Sequence, residues 1–276
     1  AALMKTNKIA VYSGTGTIVD RCHVSVRSES GEPVLLETDH ILIATGSVPA
    51  CPPIPGADLP GVVTSDGLLD KQDMFGHLII IGGGVIGMEF ASIYSSLGHP
   101  VTVIEALDRI LPGMDKEIAQ NLKMILKKRG TDIHTGARVE EILRAGDGRG
   151  LACRFVEKDK AWEVTADGIL IATGRRAYTG GLISEESSQD IKDMAMERGR
   201  IVTDGNHETS VPGIYAIGDV AGGIQLAHAA TAQGRSAVAH MAGEEACIRL
   251  DVVPSCVYTS PEIGCVGITV DEAKEK

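Results

Sequence analysis

The sequence predicts an α/β fold built around a parallel sheet, and three observations predict it. Leu78-Ile79-Ile80-Ile81 is a short, fully apolar run that meets Gly82-Gly83-Gly84. Four apolar residues in a row before a glycine turn read as a strand covered on both faces, the usual state of strands in parallel sheets. Behind the glycines, Val85, Ile86, Phe90, Ile93, Tyr94 and Leu97 recur close to helical period, and Gly98 stands where a left-handed glycine would end the helix. Val101-Thr102-Val103-Ile104 then resumes the β pattern, so strand, helix and strand alternate as in an α/β unit.

The glycine spacing gives that unit a chemistry. In Gly82-x-Gly84-x-x-Gly87, the first glycine would permit a tight turn and the second the close approach of a pyrophosphate; the third would let the helix pack on the strand. The helix N-terminus offers free N–H groups and a partial positive charge to phosphates. Glu105 closes the second strand 18 residues after Gly87, near the separation of a ribose-binding carboxylate. A structural glycine turn with a surface glutamate would show the same spacing, but the flanking strand and helix favour a Rossmann-like, three-layer dinucleotide-binding unit. A carboxylate accepts hydrogen bonds from ribose hydroxyls and repels a 2′-phosphate. Two unit charges about 4 Å apart interact by about 4 kcal/mol at an effective dielectric of about 20. Glu105 therefore selects NAD(H) over NADP(H), with Arg109 nearby as the dissenting cation.

The chain has 276 residues, room for one large domain or two ordinary ones, and its 43% hydrophobic and 23% charged content suits a globular protein. No apolar run approaches the length of a membrane span, and Ala1-Ala2-Leu3-Met4-Lys5 lacks the apolar core of a signal peptide. A net charge of −11 argues against nucleic acid or an anionic membrane as partner. The cysteines, Cys22, Cys51, Cys153, Cys247, Cys256 and Cys265, form neither C-x-x-C nor C-x-x-x-x-C and read as reduced thiols in a cytoplasmic protein. Whether Cys256 and Cys265 meet in space stays open. The histidines form no H-x-x-x-H pair, so no metal site is expected.

In order, Ile9–Tyr12 reads as a strand, Gly14-Thr15-Gly16 as a turn, and Thr17–Val26 as a strand leading to a hairpin at Ser30-Gly31-Glu32-Pro33. Val34–Leu36 and Ile41–Ala44 are further strands, the latter running into Thr45-Gly46-Ser47. Pro49, Pro52, Pro53, Pro55 and Pro60 then mark irregular chain and a crossing between domains. Asp115 is expected to cap an amphipathic helix to about Arg129, with Ile118, Leu122, Ile125 and Leu126 on one face; Lys127, Lys128 and Arg129 suit its C-terminal dipole. After a strand at 132–134 comes a meander: 139–143, a Gly146-Asp147-Gly148 turn, 151–156, a charged turn at 157–160, and 168–171. An Ile-Ala-Thr-Gly phrase thus occurs twice, at 43–46 and 171–174. Gly82 precedes Thr173 by 91 positions, and the same distance before Thr45 falls ahead of residue 1, so a second domain of like kind would have its own glycine loop outside this chain. Residues 180–200 read as a loop with at most a turn of helix. Strands follow at 201–203 and 214–217, the latter meeting Gly218-Asp219, then a helix at 226–241 in which His228 and His240 pack. From Pro254 there is new β-like material (Val257, Tyr258, Ile263, Val266) and a helix start at 270–276. The expected division is 1–73 and 204–250 as parts of one domain, 74–203 as the dinucleotide domain inserted in it, and 251–276 as the start of a further α+β domain.

Gly82-x-Gly84-x-x-Gly87, the two Ala-Thr-Gly phrases, Gly174-Arg175-Arg176, Gly213-Ile214-Tyr215-Ala216-Ile217-Gly218-Asp219 and Tyr258-Thr259-x-Pro261-Glu262 follow in the order seen in the pyridine nucleotide–disulfide oxidoreductases. The chain resembles the middle of that family, and its dihydrolipoamide dehydrogenases most. The resemblance implies an NAD site at Gly82, Gly83, Gly84, Val85, Ile86, Gly87, Glu89 and Glu105, with Val139 on the adenine side and Gly174 beside the nicotinamide. It implies FAD contacts at Gly14, Thr45, Gly46 and Ser47, with Asp219 on the ribityl chain and Leu226 and Ala227 under the isoalloxazine. Glu89 matches a carboxylate that pairs in the family with a lysine N-terminal to this chain. No catalytic residue of the family is matched here: its first glycine loop, its redox cysteine pair and its C-terminal His–Glu base have no counterpart in these residues. The implied route runs from lipoamide dithiol to disulfide to FAD to NAD, in a homodimer whose interface domain begins near Pro254. Its partners would be lipoyl groups of an acyl-transferase or glycine-cleavage carrier protein. The alternatives are another family member, such as an NADH oxidase or mercuric reductase, and an NAD(H)-binding fragment without turnover.

Overall fold

The computed structural model describes residues 2–28, 31–146, 148, 150–246 and 248–275. The expectations at Ser30, Asp147, Cys247 and Lys276 lie outside these residues. The chain forms two compact units, Ala1–Val48 with Arg176–Leu250, and Pro49–Arg175 with Asp251–Lys276.

The second unit contains the glycine loop. In chain order it runs β1 (Val62–Thr64), α1 (Ser65–Leu69), β2 (Leu78–Ile81), α2 (Val85–Ser96), β3 (Val101–Glu105), α3 (Lys116–Lys128) and β4 (Asp132–Thr135), then the meander β5 (Ala137–Arg144), β6 (Leu151–Glu157) and β7 (Lys160–Ala166), then β8 (Gly168–Ile171). The five-stranded sheet has the order β1-β8-β2-β3-β4, and every pair is parallel. The α/β class with a parallel sheet is therefore what the strand–glycine–helix–strand pattern specified. All four residues of β2 are between 0% and 4% exposed. Because successive side chains point to opposite faces, Leu78 and Ile80 enter a core with Met88, Tyr94, Leu122 and Leu126 of α2 and α3. Ile79 and Ile81 enter a second core with Ile142, Phe155 and Ile169, under the meander. Full burial of such side chains contributes about 2–3 kcal/mol each. This sandwich of helices, sheet and meander fixes where β2 ends and the glycine loop begins.

Several local expectations changed. Val62–Thr64, in the segment 1–73, pairs with β8 as an edge of the nucleotide-unit sheet (Val62↔Ile169). Asp115 stands at the N-cap of α3, but its Oδ1 accepts from Val270 N (2.8 Å) and makes no cap hydrogen bond. Ile118 is exposed; Ala119, Leu122 and Leu126 form the buried stripe, since the helix faces the core one residue later than the pattern suggested. Gly98 has a φ of +84° and His99 N donates to Tyr94 O, the terminator expected. Val257, fully buried, joins the helix-side core from the strand pair Ser255–Val257 and Ile263–Cys265. In that pair Cys256 lies opposite Gly264 and Cys265 opposite Ser255, which puts the two thiols on opposite faces.

In the first unit, Ile9, Val11 and Tyr12 are exposed and form no strand. Thr15–Ile18, read as partly turn, pairs with His23–Arg27, and Val34–Glu37 completes an antiparallel sheet. Ile41–Ile43 and Ile214–Ala216 form a parallel pair, Ile41 opposite Ile214. The strand expected at 201–203 shrinks to Arg200–Ile201, and Thr203 bridges Thr209. The helix runs Ala227–Met241; its His240 Nδ1 lies 3.0 Å from Tyr215 Oη, so that ring hydrogen-bonds as well as packs.

His207 is buried in a left-handed turn (φ +67°), and its Nε2 has no hydrogen-bond partner. Burial lowers its pKa below the ordinary 6.5, against a weaker opposing pull from Asp204. A lowered histidine pKa means that the unfolded chain takes up the proton first on acidification. The stability contribution is complete above pH 6.5 and is lost as pH falls from there through the folded value. His77 shifts the same way for the same first cause. The urea midpoint is expected to fall between about pH 7.5 and about pH 5.5. His207→Asn, which tolerates the turn, should flatten part of that slope; an unchanged slope would contradict the assignment.

Candidate dinucleotide-binding site

The loop after β2 is shaped by what its glycines lack. Gly82 has a φ of +112°, and a Cβ there would sit 2.4 Å from the carbonyl oxygen of Ala172. The second Ala-Thr-Gly phrase therefore abuts the first glycine of the loop. A Cβ on Gly87 would lie 2.0 Å from Gly82 O and 3.2 Å from Ile80 Cγ2, so only glycine lets α2 start this close to β2. Gly84 is different. It is the N-cap of α2, with extended backbone, and a Cβ there would meet nothing within 4 Å. Open space thus faces the start of α2, where the N–H groups of Val85, Ile86 and Gly87 have no acceptor in the preceding turn. Helix dipole and free donors coincide at this point.

Glu105 completes the loop. It is 8% exposed; its Oε2 accepts from Gly83 N at 2.5 Å and its Oε1 from Leu107 N at 2.7 Å. Leu111 N donates to Gly83 O at 2.8 Å, which ties the loop after β3 to the same glycine. Each carboxylate oxygen keeps a further lone pair for a hydroxyl. Arg109, the dissenting cation, is turned elsewhere: Nη2 donates to Pro112 O (3.0 Å) and Nη1 lies 3.7 Å from Asp271. Val139 is half-buried beside the β-bulge of β5 and packs on the meander-side core. Gly174 has a φ of +123°, and its carbonyl accepts from Ala50 N. Glu89, the fifth residue of α2, accepts from Tyr258 N at 2.8 Å through Oε1. Val85 is exposed and Ile86 packs against the helix-side core.

The first unit gathers a second set. Thr45 Oγ1 donates to Tyr178 O (2.6 Å), and Tyr178 N donates to Gly46 O (2.9 Å). Ser47 Oγ hydrogen-bonds Asp219 Oδ2 across 172 positions of sequence. Asp219 lies in the single helical turn Gly218–Val220, where Gln233 Oε1 accepts from Gly218 N (2.7 Å). Leu226 caps the helix that Ala227 begins. At Gly14 a Cβ would sit 2.4 Å from Arg27 O, so close backbone approach also accounts for that glycine. Gln233 and Tyr178 were not anticipated, and no local motif marks them, since they act through contacts made by folding; Tyr258 belongs to an expected motif, but its contact with Glu89 was not foreseen.

Compared with known proteins, residues 1–234 match the model of the pyridine nucleotide-disulphide oxidoreductase family. The chain belongs to this family. Among curated oxidoreductases it is 36% identical over 272 residues to a dihydrolipoyl dehydrogenase of Bacillus subtilis, covering 99% of this chain and 57% of the relative. It is 36% identical over 280 residues to the mitochondrial dihydrolipoyl dehydrogenase of Bos taurus, covering 100% of this chain and 54% of the relative. Among solved structures, an HOCl-induced flavoprotein disulfide reductase of Escherichia coli superposes with a TM-score of 0.84 at 33% identity, covering 97% of this chain and 59% of that one. The chain therefore spans somewhat more than half the length of the relatives it matches.

The two loop glycines should separate on substitution. Gly87→Ala is expected to cost about 3 kcal/mol of stability, because its Cβ meets backbone that cannot yield. Gly84→Ala should cost less than about 1 kcal/mol. Urea denaturation of both variants checks the order, and equal losses would contradict it.

Proposed function

We propose that this chain binds NAD(H) at the glycine loop and FAD at the Asp219 region, and that it forms the nicotinamide-side portion of a dihydrolipoamide dehydrogenase. The observation that carries the reading is the Glu105 carboxylate on Gly83 N, next to the open N-terminus of α2. In this reading the amides from Gly84 to Gly87 hold the pyrophosphate, Gly83 N stays on Glu105, and the remaining lone pairs of Glu105 accept the adenine ribose hydroxyls. Val139 flanks the adenine, and Gly174 and Glu89 flank the nicotinamide. Gly82 is the turn that permits the approach. Thr45, Gly46, Ser47, Asp219, Leu226 and Ala227 line the flavin side, with Gly14 a weaker member because its strand contact already explains it. The domains proposed are 74–203 for NAD, 1–73 with 204–250 for FAD, and 251–276 as the start of a dimerisation domain. Bound flavin and nicotinamide would supply hydride exchange; the protein's part is to hold and orient the two.

The names of the relatives support dihydrolipoamide as reductant, and the glycine loop with Glu105 supports NAD+ as acceptor. The partners proposed are therefore lipoyl groups on an acyl-transferase or glycine-cleavage carrier protein, met by a cytoplasmic homodimer. Among the described residues no helix is long and apolar enough to cross a membrane. A second reading, an NAD(H)-binding unit without dithiol turnover, is favoured by the cysteine spacing, since none of the six forms a C-x-x-x-x-C pair.

Calorimetric titration is expected to show NADH binding at least roughly tenfold more tightly than NADPH. Glu105→Ala should erase most of that preference. Tighter NADPH binding would contradict the NAD assignment. A flavin visible spectrum in the purified protein supports the first reading over the second; colourless protein that binds NADH supports the second.

A further inference from the structure

The nucleotide unit carries a second cavity, of about 720 Å³, on a face of α3 that the dinucleotide reading does not use. Lys116, Lys123 and Lys127 stand on one stripe of the helix, and Arg109 closes the cavity from the loop after β3. The stripe covers three turns, roughly 16 Å of helix. The protein as a whole is acidic, with 37 Asp and Glu against 26 Lys and Arg. A groove with four cations is thus a local reversal of sign. Its acids, Asp108 and Asp271, lie at the Arg109 end, where Asp271 pairs with Arg109. No ion pair joins Lys116, Lys123 or Lys127 to a carboxylate among the described residues. Lys123 lines the groove, and its Nζ spends one of its three donors on Thr135 Oγ1 (2.8 Å), outside the lining, which leaves two for an anion. Burial first, and Lys127 second, lower its pKa. Like charges crowded in a part-dry groove gain when an anion enters.

The rest of the lining is apolar. Ile110, Pro112 and Ala119 line the cavity, and Leu107 and Met124 are 52% and 48% exposed beside the cations. The volume falls within the range of small-molecule sites and far exceeds a single phosphate. We propose that this groove binds a nucleoside polyphosphate: phosphates on Lys116, Lys123 and Lys127, and the base against Met124 and Leu107. The groove adjoins the glycine loop through Leu107, whose N donates to Glu105, and Ile110, which packs beside Gly83, but its cations lie on α3 and the loop after β3.

The test is calorimetric titration of the full chain with ATP, ADP and inorganic triphosphate, each with and without saturating NADH. ATP is expected to bind in both conditions, more tightly than inorganic triphosphate, and more weakly as salt is raised. The double variant Lys123→Gln/Lys127→Gln should lose roughly tenfold or more in ATP affinity while its NADH affinity and thermal midpoint stay unchanged. A second variant, Met124→Ser, should weaken ATP and leave inorganic triphosphate unaffected. The proposal is overturned if ATP binds only without NADH, which places it at the glycine loop, or if the lysine variant binds ATP like the parent. It is also overturned if polyglutamate binds and ATP does not, which would make the groove a peptide site. Loss of NADH binding with ATP binding retained would count against the dinucleotide reading alone.

Discussion

One carboxylate holds two backbone amides at the centre of the nucleotide unit. Glu105 ends β3, and its two oxygens take the N–H groups of Gly83 and Leu107. Hydrogen bonds from backbone N–H to a charged acceptor are worth about 1.5–3 kcal/mol each. Their loss inside a nearly buried pocket would leave both donors unpaired. The contact therefore joins the ends of β2 and β3, sets the path of the glycine loop, and fixes the direction in which α2 begins. In the proposed reading, the residue expected to read a ribose would also build the platform for the pyrophosphate. A substitution at Glu105 acts on both, which is why dinucleotide preference separates its roles better than affinity does.

That contact can form only because the layers beneath it are set. The two faces of β2 enter different cores, one roofed by α2 and α3 and one by the meander. Neither core tolerates a polar residue in Leu78–Ile81, and both end at Gly82. There the absence of Cβ atoms at Gly82 and Gly87 lets the backbones of β2, α2 and the Ala172 turn converge. Packing sets the position, the missing side chains allow the approach, and Glu105 locks it.

The parts that were legible in the sequence are those with a local code. The apolar run, the glycine spacing and the Gly98 terminator each depend on neighbours within a few turns, and each appears where it was expected; α2 forms too, but it buries Gly87, Met88, Ala91, Ser92 and Tyr94 and leaves Val85, Ile93 and Leu97 of the expected face exposed. What was not legible depends on distant partners. Ile9–Tyr12 has strand chemistry but forms no strand. Val62–Thr64 joins the parallel sheet because β8 lies open beside it, a fact carried by residues more than a hundred positions away. Asp115 has ideal capping chemistry, yet Val270 N takes its carboxylate. Glu89 is engaged by Tyr258 N, and Gly218 N by Gln233; neither pairing has a motif. The cations of α3 read as a solvated helix end because the sequence shows the stripe and conceals the cavity it borders.

The proposal that the glycine loop and the start of α2 form a dinucleotide site is tested most directly by amide-resolved NMR titration with NAD+. Saturable shifts are expected on the N–H groups of Gly83, Gly84, Val85, Ile86 and Gly87, with a smaller response at Leu107 through Glu105. Saturable binding that leaves these amides unmoved, or that shifts only residues elsewhere in the chain, would contradict it.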